Sequence, residues 1–125
     1  METDGIQMKF QWRPGFPAEM QAGFEKFQFA FSQKAATVIE PYVPLDGGTL
    51  KESVNGAASD FKNGILVYNT PYARKQYYLH EIGTDLHGDT KLRGSYWGQR
   101  ALDAHKDALA AFARNAADTY LGGGA

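Results

Sequence analysis

The sequence predicts an α+β domain in which a small antiparallel sheet carries two long helices packed on one face, plus a short helix. Three observations predict it. Ile6, Met8, Phe10 and Trp12 alternate with Gln7, Lys9, Gln11 and Arg13, the period of two of a half-buried strand. Between Ala18 and Ile39, Met20, Phe24, Phe27, Phe31, Ala35 and Val38 recur in three- and four-residue steps, one face of an amphipathic helix. From Trp97 to Tyr120, Ala101, Leu102, Ala108, Leu109, Phe112 and Ala116 form a second stripe in alanine-rich sequence of high helix propensity.

Each element has a local cause. Pro14-Gly15-Phe16-Pro17 ends the first strand, and Pro17 suits a first helical turn, where its missing N–H is no loss. Phe29 lies off the apolar stripe of the first helix. It reads either as a partner-facing aromatic or as part of a wide core stripe. Pro41 to Gly48 is expected to be irregular and extended, because two prolines forbid regular donors and Gly47-Gly48 supply a turn. Thr49-Leu50-Lys51-Glu52 fits a capping box that opens a short helix, broken by Val54-Asn55-Gly56. Asn63-Gly64 is a strong hairpin signal between residues 56–62 and the apolar run Ile65-Leu66-Val67-Tyr68. Pro71 to Glu81 reads as a short helix, and residues 82–94, with three glycines, as a long loop. Ser95 is placed to cap the last helix, and the glycines after Leu121 end it. One domain over residues 1–125 is expected, with residues 1–4 and 121–125 flexible.

Composition narrows the function. The chain has 125 residues, a net charge of −1 and no cysteine. Disulfides, thiol catalysis and thiolate metal sites are excluded. Near-neutral charge argues against a strongly basic nucleic-acid binder. The acidic start, Met1-Glu2-Thr3-Asp4, is unlike a signal peptide, and no apolar run approaches the ~18 residues of a membrane span. The charge is unevenly placed: residues 1–60 balance to −3 and residues 61–100 to +3. Copies could pair such patches head to tail. A chance imbalance is the other reading.

Chemistry-bearing clusters are weak. His80, Glu81, Asp85, His87 and Asp89 match neither a zinc-helix nor a calcium-loop spacing, so no metal site is assigned. His105 stands between Asp103 and Asp107 with no nucleophile at motif spacing and reads as a lone exposed histidine. No catalytic or cofactor-binding residue is assigned. Four tyrosines and two cations crowd the stretch from Tyr68 to Tyr78, a composition suited to protein contact. The alternative is that some of these rings fill the core, most readily Tyr68 and Tyr72. The candidate protein-interface residues are Leu45, Asp46, Tyr77, Tyr78, Leu86, Lys91, Leu92 and Arg93. They lie in that stretch and in the segments 41–48 and 83–94, both expected to be exposed.

The order of these features resembles the minor capsid, head–tail joining and tail-completion proteins of long-tailed bacteriophages and prophages. The resemblance rests on Val43-Pro44-Leu45-Asp46-Gly47-Gly48-Thr49-Leu50 after a long helix. It continues with Pro71-Tyr72-Ala73-Arg74-Lys75-Gln76-Tyr77-Tyr78 after a hairpin, and with Trp97-Gly98-Gln99-Arg100-Ala101 opening the terminal helix. It spans roughly residues 17–118. It implies a non-enzymatic virion protein of the neck, made in the host cytoplasm and acting through ring assembly. The implied partners are other copies of itself and the portal, head-closure and tail proteins. Neither a small-molecule substrate nor a membrane is implied, and DNA passes near without specific binding. The competing reading is a nucleic-acid-associated or regulatory protein-binding module that uses the basic 61–100 region.

Overall fold

The computed structural model of the chain describes residues 5–10, 12, 21–44, 49–70, 73–79, 82 and 92–121. The elements run β1 (Ile6–Lys9), α1 (Gln21–Ile39), α2 (Thr49–Glu52), β2 (Ile65–Tyr68), α3 (Ala73–Leu79), α4 (Trp97–Ala104) and α5 (Lys106–Tyr120). Three single 3-10 turns, Glu40–Tyr42, Ser53–Asn55 and Phe61–Asn63, join or extend them. The two strands pair antiparallel with Met8 opposite Leu66 and Ile6 opposite Tyr68. The alternation read from the sequence holds over β1: Gln7 and Lys9 are exposed, while Ile6 and Met8 pack on the core.

The core gathers Ala35 and Ile39 of α1, Tyr42, Val43, Leu50, Val54, Leu66, Tyr68, Ala73, Trp97 and Ala101. Phe31 and Phe27 of α1 are buried beside it and take the edge of Trp12 at 5.0 and 4.8 Å between ring centroids. Edge-to-face rings of this kind add to the burial of their area. Phe24 and Phe112, expected in the core, are only partly buried.

Four expectations are corrected. Residues 56–62 do not form a strand: across Asn63-Gly64 a single antiparallel bridge joins Asp60 to Ile65, with backbone bonds of 2.8 and 2.9 Å. Only Gly64 has positive φ (76°), whereas a type I′ turn needs two such residues. Phe61–Asn63 instead curl into a 3-10 turn, which Gly64 closes in the left-handed region. Two polar residues on the inner face of α1 hold that turn: Gln28 Nε2 donates to Lys62 O at 2.6 Å and Ser32 Oγ to Phe61 O at 3.1 Å. With that turn in place, the edge of β2 pairs with β1.

Residues 41–44 are not an exposed arm, and the rest of the 41–48 segment lies outside the described residues. Pro41 sits at the second position of the 3-10 turn Glu40–Tyr42, and Tyr42, Val43 and Pro44 are buried. The last helix is interrupted at His105, where φ and ψ move to −109° and 19°, so α4 and α5 are separate. Ser95 makes no cap, since Tyr96 occupies the N-cap position without a side-chain bond. His105 is half-buried, its ring meeting the edge of Tyr42 at 6.1 Å.

Candidate assembly surface

Residues 92–97 decide which side chains face inward. Arg93 is 1% exposed, contrary to its expected place on a solvated loop. Its Nη1 donates to Glu40 O and to Val43 O, both at 2.7 Å, and its Nη2 lies 3.5 Å from the Glu40 carboxylate. The next residue, Gly94, donates its backbone N–H to Tyr42 O at 3.0 Å. Helix C-termini leave carbonyls without intrahelical donors, and a cation there also meets the negative end of the helix dipole. Arg93 thus closes the end of α1 and draws residues 40–44 into the core. Lys51 binds the other Glu40 oxygen at 2.9 Å, and that carboxylate raises the Lys51 pKa.

Gly94 has φ 155°, and a Cβ there would lie 2.6 Å from Ile82 Cα. The glycine therefore lets residue 82 close over the turn. Two residues on, Tyr96 adopts φ 56°, the single positive φ among described non-glycine residues. That conformation costs a tyrosine energy and persists only where neighbours enforce it. Here its N–H donates to Tyr77 O at 2.7 Å, and its carbonyl accepts from Arg100 N at 2.9 Å.

The result is a ring cluster. Tyr77 stands half-buried, with its centroid 4.7 Å from Trp97, 5.4 Å from Tyr96 and 5.2 Å from Tyr78. Tyr78 and Tyr96 meet edge-on at 5.8 Å. Burial raises the Tyr77 pKa. Around this nucleus the surface is apolar: Leu79 is 73% exposed, Tyr78 50% and Tyr96 44%, and Ile82 and Leu92 are exposed too. Arg74 and Lys75, one turn before Tyr78 and Leu79 on α3, are also exposed. Scattered exposed apolar residues are ordinary, but several large ones grouped beside cations mark a contact surface.

Of the residues singled out from the sequence, Tyr77 and Tyr78 converge here, Leu92 is exposed, and Arg93 is removed to the interior. Tyr68 is buried and Phe29 is exposed, with its ring 5.8 Å from that of Phe61. Leu45, Asp46, Leu86 and Lys91 lie outside the described residues, as do Tyr72, His80, Glu81, Asp85, His87 and Asp89. Sequence reasoning missed Leu79, Ile82 and Tyr96. Tyr96 was hidden by the assumption that Ser95 caps the helix. Leu79 was readable, since it follows Tyr78 on the face opposite buried Ala73.

Among the described residues no group of three acidic, histidine or cysteine side chains could hold a metal, and no helix is long and apolar enough to cross a membrane. The fold and this surface define a small α+β domain whose most distinctive feature is an outward aromatic face. A family model described as minor capsid protein matches residues 18–118. The chain belongs to the minor capsid protein family of bacteriophages and is therefore a structural protein of the virion, in contact with other virion proteins. No curated protein and no solved structure matches it significantly.

Proposed function

We propose that this chain is a neck protein, joining the head and portal to the tail as a ring of identical copies, without catalytic activity or cofactor. The observation that carries the proposal is the outward face formed by Tyr78, Leu79, Ile82, Leu92 and Tyr96 around half-buried Tyr77. A ring subunit must bury area against neighbours, and aromatic side chains on a rigid support contribute most per residue. Family membership supports a virion role. The competing nucleic-acid reading loses two of its cations. Arg93 is buried on backbone carbonyls. Arg100 donates Nε to Ser95 O at 2.8 Å and lies over the Tyr42 ring at 5.5 Å. Neither is free to track a phosphate backbone.

The test is a phage whose copy of this chain is interrupted early. The expected products are DNA-filled heads and separate tails, which become joined, infectious particles when the purified protein is added. Normal tail-joined particles formed without the protein, or labelled protein spread over the head shell, would overturn the proposal.

A further inference from the structure

A cleft of about 400 Å³ opens between α1 and the α2 segment, within the size range of built binding sites. Glu40, Lys51 and Glu52 line it with Gln33 and Asn55, and Tyr68 contributes from the sheet side. Tyr68 is 1% exposed, and its hydroxyl has no hydrogen-bond partner among the described residues. An unpaired buried hydroxyl costs stability unless something satisfies it. Glu40 is held by Lys51 and Arg93, which leaves the exposed Glu52 as the rim charge with no ion pair among the described residues. Beside the cleft lies a smaller groove of about 310 Å³ that shares Gln33, Asn55 and Phe61 with it and adds the exposed ring of Phe29. The face therefore carries the exposed Glu52 and polar side chains at one end and aromatic rings at the other.

Helix α3 carries the complement. Its exposed side is Arg74 and Lys75 followed one turn later by Tyr78 and Leu79. Neither cation has an ion-pair partner among the described residues. One helical turn, about 5.4 Å, separates the cationic pair from the apolar pair.

We propose that α3 of one copy docks into this double groove on the next. Arg74 and Lys75 enter the cleft at Glu52 and Tyr68, and Tyr78 and Leu79 lie against Phe29 and Phe61. The inference rests on the ring proposed above and names its contact. The two surfaces share no residue, so the contact is heterologous and propagates from copy to copy until it closes. Arginine suits the cleft because its planar guanidinium pairs with a carboxylate through two parallel bonds and can lie over an aromatic face. Satisfying Tyr68 and Glu52 together in a partly buried site makes the cationic end the part that selects the register.

The cysteine-free chain makes the test direct. Asn55→Cys and Lys75→Cys are both at exposed positions and are introduced singly and together into the full chain. Particles carrying each variant are purified and mildly oxidised. The doubly substituted protein should give a ladder of covalent multimers, and each single variant no more than traces of dimer. Abundant dimer from Lys75→Cys alone would show a two-fold contact and overturn the inference. Doubly substituted protein that is present in joined particles yet stays monomeric would also overturn it, leaving the neck role intact. Absence of the protein from purified particles would overturn both.

A charge exchange gives an independent reading. Glu52→Arg should lower the yield of joined particles about tenfold or more, the equivalent of roughly 1.4 kcal/mol. Adding Arg74→Glu and Lys75→Glu should restore it. Failure of that rescue, with all variants melting within a few degrees of the wild type, would count against the pairing.

Discussion

Arg74 and Arg93 belong to the same basic, tyrosine-rich half of the chain and end in opposite environments. Arg74 is exposed on α3, in line with Tyr78. Arg93 is enclosed and bonded to two backbone carbonyls and a carboxylate. Residue type does not separate them. What separates them is the supply of acceptors where α1 and the 3-10 turn after it end: the Glu40 carbonyl takes the Val43 N–H at 3.2 Å, and both it and the Val43 carbonyl accept from Arg93. A guanidinium with five donors in a fixed fork can serve two carbonyls and a carboxylate together. The cations of the short helix α3 make no such bonds among the described residues and are exposed.

That contrast is broken most easily at Arg93. Arg93→Ala should destabilise the chain by about 3 kcal/mol or more, since the buried Val43 carbonyl loses its Arg93 donor, at roughly 1–3 kcal/mol, and the enclosed side chain leaves a cavity. Urea denaturation reads this directly. Arg93→Lys should recover only part, because an ammonium cannot span both carbonyls in the same geometry. A loss under 1 kcal/mol for the alanine variant would mean that residues 40–44 are held by other contacts. Gly94→Ala comes next, at about 1–3 kcal/mol, because its Cβ meets Ile82 and the backbone must shift. A melting temperature unchanged by that substitution would place Ile82 elsewhere.

These two positions also show where sequence reading stopped. Periodicity was sufficient for β1, α1 and the terminal helices, since their apolar steps report which face meets the core. It could not find the pairing of β1 with β2, because Asn63-Gly64 satisfies a hairpin rule that considers neighbours in sequence only. The deciding contacts, Gln28 to Lys62 and Ser32 to Phe61, cross about thirty residues of chain. Arg93 fails for the same reason: its carbonyl partners lie at Glu40 and Val43. The tyrosines of α3 were visible as a contact surface, but Tyr96 joins them through a left-handed backbone conformation that no local pattern announces.

On the exposed side of the comparison, effects on stability should be small and effects on assembly large. Arg74→Ala and Leu79→Ala should each change unfolding free energy by no more than about 0.5 kcal/mol, as surface substitutions away from structural features do. Both should reduce joined particles in a complementation assay. A stability loss above 2 kcal/mol for Leu79→Ala would make that residue part of the fold's own core.

The last expected effect is at Tyr68, where the inward and outward regions meet and the change shows mainly at high pH. Burial, and secondarily the nearby Glu40 carboxylate, raises its phenol pKa well above the ordinary value. The unfolded chain releases this proton near pH 10, while the folded chain holds it. The contribution to stability is therefore complete below pH 10 and declines as pH rises further towards the folded-state value, by at most about 1.4 kcal/mol per pH unit. Tyr77, shifted in the same direction by burial, adds to that decline. Tyr68→Phe should leave stability at pH 7 within about 1 kcal/mol of the wild type, since it removes a hydroxyl that has no partner among the described residues. It should also make the fall above pH 10 shallower, which urea midpoints between pH 7 and pH 11 would record. If the hydroxyl is satisfied by the next copy, the same variant should weaken assembly while sparing the monomer. A loss above 2 kcal/mol at pH 7 would show instead that the hydroxyl is bonded within the chain, and the cleft would then lose its claim on a neighbour.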